Sequence, residues 1–129
     1  MFENLQIFRM AHAMATHAGA RQAVVAENLA HADTPGYAAR DIQPFEALLR
    51  QDGARFGMRA TRAAHLHGTR APFEIQINEN RDALKDPNGN SVALEEEMLK
   101  AVEVKRQHDR ALAIYKSSMT ILRSSLGRR

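Results

Sequence analysis

The chain has 129 residues, 44% of them hydrophobic but only 5% aromatic, with no cysteine and no tryptophan. Its formal charge of +3 arises from 18 Lys and Arg against 15 Asp and Glu, which alternate along most of the sequence; no block of positive charge forms, and this argues against nucleic-acid binding. The absence of cysteine excludes a disulfide framework and a thiolate metal site, and an apolar share made up largely of alanine suits close helix contact better than a thick globular core.

Residues 1–32 read as a helix. Ile7, Met10, Ala11, Met14, Ala18 and Val25 form one apolar stripe at helical spacing, and Leu5, Phe8, Ala15, Ala26 and Leu29 form a second beside it. So wide an arc, with alanine through its middle and Gly19 adding no bulk, suits several close partners; an ordinary core helix chosen for its propensity would read the same way. Glu3, Asn4, Gln6, Arg9, His12 and His17 interrupt every apolar run, so no cleavable export signal is expected. Nor does any stretch approach the roughly 20 apolar residues that span a bilayer.

Residues 33–90 are irregular. Thr34-Pro35-Gly36-Tyr37 has the chemistry of a type II turn, in which proline sets φ at the second position and glycine accepts a positive φ at the third. Proline also pushes Thr34 out of helical geometry, ending the first helix at or just before Asp33. The turn would then hold Tyr37 in a defined direction. Beyond it, Phe45 to Leu49 reads as a short helix after Pro44, and Phe73, Ile75 and Ile77 alternate with polar residues as a short strand or hairpin would. Gly53, Gly57, Gly68 and Pro72 break up the remainder, which suits an extended arm better than a compact domain.

Residues 91–127 form the second long helix. Leu94, Met98, Ala101, Lys105, His108, Leu112, Tyr115, Met119, Leu122 and Leu126 follow a heptad pattern whose only polar members are Lys105 and His108. Those two either specify register or reach solvent or a neighbour's carboxylate. Leu99, Val102, Ile114 and Ile121 flank the seam and would stay wet in a two-stranded coil, so the helix is expected to touch more than one other. The turn formers from Asp86 to Ser91 mark its start, with Asn90 or Ser91 as N-cap, Glu95, Glu96 and Glu97 at the positive end of its dipole, and Gly127 as the stop. The fold expected is mainly α: terminal helices packed as an antiparallel coiled-coil-like pair around an irregular middle arm. Neither helix can bury its whole arc on the other, so both are expected to finish their packing on neighbouring subunits.

The histidines offer the only candidates for catalytic or metal chemistry. His65 and His67 alternate as ligands do, but His12 and His17, five apart, fall on different helix faces, and no acidic partner stands at metal-site spacing. No catalytic residue, metal, cofactor or small-molecule substrate is expected.

The string ENLAHADTPGYAARDI, from Glu27 to Ile42, resembles the N-terminal signature of the bacterial flagellar axial proteins, the family of rod, hook and hook-associated subunits. In that family Asn-Leu-Ala-Asn-x-x-Thr-Pro-Gly-Tyr closes the first helix. Asn28, Thr34, Pro35, Gly36 and Tyr37 match it, Asp33 and the following Arg40-Asp41 are similar to the proximal rod branch, and His31 stands where the family has its second asparagine. Thr61 with His65-Leu66, the run from Asp86 to Val92, Leu94 to Met98, and the closing Leu122 to Gly127 resemble the same branch.

The resemblance implies a structural subunit of the proximal rod. It would be exported through the flagellar type III apparatus without a cleaved signal and assembled in the periplasm at the basal body. Implied partners are other rod proteins, further copies of the chain, the rod-base adaptor subunit, the export gate and the membrane ring. Its turn motif would be Asn28, Asp33, Thr34, Pro35, Gly36 and Tyr37. Its packing and assembly residues would be Leu5, Phe8, Met14, Val25 and Leu29 on the first helix and Leu94, Met98, Leu112, Tyr115, Met119, Leu122 and Leu126 on the second. A soluble helical adaptor or scaffold of the export apparatus is the alternative.

Overall fold

The computed structural model describes residues 2–54, 75–80 and 84–127. In chain order the elements are helix α1 (Phe2–Ala30), strand β1 (Arg40–Ile42), helix α2 (Phe45–Ala54), strand β2 (Ile77–Glu79) and helix α3 (Leu94–Leu126). The two long helices pack together in antiparallel sense, as the sequence predicts. Asn28 near the end of α1 meets Glu97 near the start of α3. Phe8 near the start of α1 meets Tyr115 edge to face, with ring centroids 5.2 Å apart.

Small side chains make this closeness possible. Ala11, Ala18 and Val25 recur at sevens along α1 and are buried, as are Glu97, Val104 and Ala111 at sevens along α3. β1 lies along α1 and pairs antiparallel with β2, Ile42 opposite Ile77 and Arg40 opposite Glu79. Ile42 and Phe45 anchor this arm as buried side chains, and Phe45 sets its ring against the buried His17 with centroids 5.5 Å apart. Burying such side chains stabilises the arm by about 1.5–3 kcal/mol each. Among the described residues no helix is long and apolar enough to cross a membrane.

Several local expectations need correction. The strand of the middle arm is Ile77–Glu79, later than the alternation starting at Phe73 suggests; Ile75 is outside it, and Phe73, Thr61, His65 and His67 lie outside the described residues. The short helix runs on past Leu49 to Ala54. The N-cap of α3 is Ala93, extended at φ −91° and ψ 113° and giving no side-chain cap, because Asn90 and Ser91 are committed elsewhere. Gly127 does end α3, but at φ −90° and without a left-handed turn. Glycine fits there because a Cβ would stand 2.9 Å from the Arg123 carbonyl oxygen.

Candidate functional site

Two turns meet back to back where the helices join. In the first, the Tyr37 N–H donates to the Thr34 carbonyl at 3.3 Å and Gly36 takes φ +73°, the features of a type II turn. In the second, the Gly89 N–H donates to the Asp86 carbonyl at 2.8 Å, and Gly89 takes φ +80°. The Gly36 N–H donates to the Asn88 carbonyl at 3.0 Å, and a Cβ on Gly89 would lie 3.5 Å from the Gly36 Cα. Open space surrounds the Cβ position of Gly36, so its conformation alone calls for glycine there. Gly36→Val is therefore expected to destabilise the chain by about 1 kcal/mol or more through backbone strain, read as a lower thermal midpoint with the helix content retained at 20 °C, on the order of room temperature.

Asn90 fastens the second turn to α1. Its Nδ2 lies 3.0, 2.6 and 3.0 Å from the carbonyl oxygens of His31, Ala32 and Thr34, sharing its donors among them. Those carbonyls belong to the turn that follows α1, so a side chain far along the sequence fastens the chain just past the first helix. Its Oδ1 accepts from the Val92 N–H at 2.8 Å. Ser91 is equally committed: its Oγ accepts from the Ala39 N–H at 2.8 Å, and its own N–H donates to the Tyr37 carbonyl at 3.1 Å.

Beneath the turns lies a buried polar network. Asn28, with no exposed surface, donates from Nδ2 to the Arg40 carbonyl at 2.7 Å and to Glu97 Oε2 at 3.1 Å. Its Oδ1 accepts from the Arg40 N–H at 3.0 Å and from the Tyr37 hydroxyl at 3.4 Å. One amide thus ties α1, β1 and α3 together. Lys100 Nζ reaches Glu97 Oε1 at 2.7 Å and Asp41 Oδ2 at 3.7 Å, while Arg21 Nε donates to Asp41 Oδ1 at 3.2 Å. Charges alternate along the chain of contacts, as buried charges must.

Tyr37 is held in the direction the turn sets. Its ring stacks on His31, centroids 4.6 Å apart and planes 8° from parallel, and His31 Nδ1 donates to the Glu27 carbonyl at 2.8 Å. Burial, followed by the Glu27 and Glu97 carboxylates, raises the Tyr37 hydroxyl pKa above its ordinary 10.0 against the opposing charge of Arg40. For Lys100, burial pulls the pKa down, but the hydrogen bond and charge of Glu97, with Asp41 and Glu96, outweigh it and raise the ammonium above 10.5. Both groups hold their protons longer in the folded chain, so the unfolded state loses protons first and stability falls as pH rises. Lys100 contributes fully below 10.5 and its contribution disappears as pH passes its raised value. Urea unfolding across the alkaline range should show the midpoint dropping above roughly pH 10, with a shallower drop in Lys100→Met.

Most of the sequence motif converges here. Asn28, Thr34, Gly36 and Tyr37 make the contacts described, while Asp33 and Pro35 face solvent. Of the packing residues on α1, Val25 is buried, Phe8 and Met14 are half-buried, and Leu29 is exposed; the side chain of Leu5 lies outside those described. On α3, Met119 and Leu122 are half-buried, Tyr115 touches Phe8, and Leu94, Met98, Leu112 and Leu126 are exposed. Sequence reasoning missed Lys100 and Arg21, and it gave Glu97, Asn90 and Asp41 no part in this network. Only the sevenfold spacing of Glu97 from Val104 and Ala111 marked it, and its charge hid that signal.

No family model matches the chain. Over 116 residues, covering 88% of this chain and 87% of the relative, it is 38% identical to the flagellar basal body rod protein FlgB of Agrobacterium fabrum.

Proposed function

The chain belongs to the FlgB family of flagellar basal body rod proteins, and on that premise we propose that it is a structural subunit of the proximal rod, passing torque from the membrane ring toward the distal rod and hook. Its partners are other basal-body components: rod proteins, further copies of itself, the rod-base adaptor subunit and the export gate. It reaches the periplasmic side of the basal body through the flagellar export apparatus. Its part is mechanical, not catalytic.

The outer surface of α3 is the observation that carries this reading. Leu94, Met98, Leu99, Val102, Leu112 and Ile121 are large apolar side chains left exposed by the single chain, and a surface like this marks an interaction site. Each gains about 1.5–3 kcal/mol if a neighbour covers it fully. A helix of 33 residues spans about 50 Å at 1.5 Å per residue, so one subunit offers a long contact line. The corner fixes the angle at which the arm leaves that line.

Met98→Asp with Val102→Asp tests the proposal, since both positions are already solvated in the single chain. The doubly substituted subunit is expected to keep its helix content by circular dichroism, to be missing from detergent-purified basal bodies, and to leave cells non-motile. Swimming cells with the variant incorporated would refute an assembly role for this face.

A further inference from the structure

α3 carries two apolar seams, and the weaker of them faces α1. The outward stripe holds Leu94, Met98, Val102 and Leu112, interrupted by Lys105, with Met98 59% exposed; the inward one holds Glu97, Val104 and Ala111, none more than 2% exposed. Hydrophobic burial alone would choose the opposite setting. A roll of α3 by about 100°, the angle between successive helical residues, would set Met98, Lys105 and Leu112 where Glu97, Val104 and Ala111 now stand and lift Glu97 into water. That roll would trade Glu97 for Met98 and Ala111 for Leu112 against the loss of Val104 to the long stem of Lys105, and it would spare a carboxylate its burial.

Polar contacts oppose it. Glu97 Oε2 accepts from Asn28 Nδ2 at 3.1 Å, and Oε1 accepts from Lys100 at 2.7 Å. Asn28 cannot follow a rolling helix, because both ends of its amide are engaged by the backbone of Arg40 at 2.7 and 3.0 Å. Ahead of α3 the chain is held at Asn90 and Ser91, while Ala93 is extended and gives the first turn no side-chain cap.

We propose that Glu97, gripped by Asn28, is a rotational lock that sets the angle of α3 about its own axis and keeps the larger apolar stripe turned away from α1. The lock selects one packing over a greasier rival, as single buried polar residues do in coiled coils. It is a property of the single chain, independent of what later covers the outward stripe.

The absence of cysteine makes single thiols clean probes. Met98→Cys and Val104→Cys are placed separately in the full chain, and their rates of alkylation by a maleimide are compared. In the otherwise native chain Cys at 98 should react fast and Cys at 104 slowly. Adding Glu97→Leu should reverse the order, slowing position 98 by roughly tenfold or more and accelerating position 104, with helix content unchanged. Leucine strands one Asn28 N–H, but Asn28 keeps the Arg40 carbonyl and Lys100 keeps Asp41. Glu97→Gln retains an acceptor for Asn28 and should behave as the native chain. The proposal is overturned if position 98 stays fast in Glu97→Leu. It is overturned equally if both positions become fast with loss of helix, since Glu97 would then hold the helices together and not orient them. Reversal by Glu97→Gln would take the lock away from Asn28 and assign it to the Lys100 charge.

Discussion

Asn28→Ala is expected to lower folding stability by about 3 kcal/mol or more, because a fully buried amide disappears and its partners have nothing to replace it. The Arg40 N–H and carbonyl lose their side-chain partner, and Glu97 Oε2 loses its donor inside the protein. Each stranded group carries its own desolvation penalty, which is why this exceeds the net value of the bonds themselves. Urea or thermal unfolding of the purified subunit measures the effect. A loss below roughly 1 kcal/mol would mean that water or a rearranged Arg40 meets those groups, and the network would not be what joins α1, β1 and α3.

The second large effect is expected at Asn90. Asn90→Ala should cost about 2 kcal/mol, since the carbonyls of His31, Ala32 and Thr34 and the N–H of Val92 all lose a partner at once. Hydrogen exchange should show the loss first in the last turn of α1, although the substituted residue lies some 60 positions away in sequence, on the order of half the chain. Asn90→Asp sharpens the test. It keeps an acceptor for Val92 but sets a negative charge against three carbonyl oxygens, so near neutral pH it should be at least as damaging as alanine. An aspartate variant as stable as the native chain would show that fastening by Nδ2 is dispensable.

Both results would place stability at the corner end of the molecule. Near the opposite end, Ile7 and Met10 on α1 and Ile114 and Ile121 on α3 are exposed, and a groove of about 600 Å³ lined by Ile7, Met10, Met14 and Ile114 runs between the helices. Contacts there contribute less to the single chain. The contact between the helices therefore differs along the pair: polar and enclosed at the corner, apolar and open beyond it.

The corner was readable at the level of local chemistry. Proline followed by glycine selects a type II turn through the φ of two adjacent residues, and Gly36 takes the positive φ that such a turn requires. β1 was not readable, since Arg40-Asp41-Ile42 offers a single apolar residue and no alternation for a strand pattern to register. The cap of α3 was misassigned, since it is Ala93. Asn90 and Ser91 have cap chemistry and precede a helix, yet their side chains serve the turn after α1 and the backbone of Ala39, a choice that only three-dimensional proximity can make.

Composition, apolar periodicity and turn chemistry were sufficient to specify two long helices, the break between them and an arm too polar to be a core, because these follow from interactions within a few residues. The signature around Asn28 and Tyr37 was enough to suggest the family. Which face of α3 turns inward was decided only by tertiary structure. Periodicity ranks faces by hydrophobicity, whereas the folded chain also had to satisfy the Asn28 amide and the backbone of Arg40, and Glu97, 69 residues along the chain from Asn28, supplied the remaining acceptor. A buried hydrogen bond between distant residues outweighed a difference in apolar area, and no window along the sequence contains both of its ends.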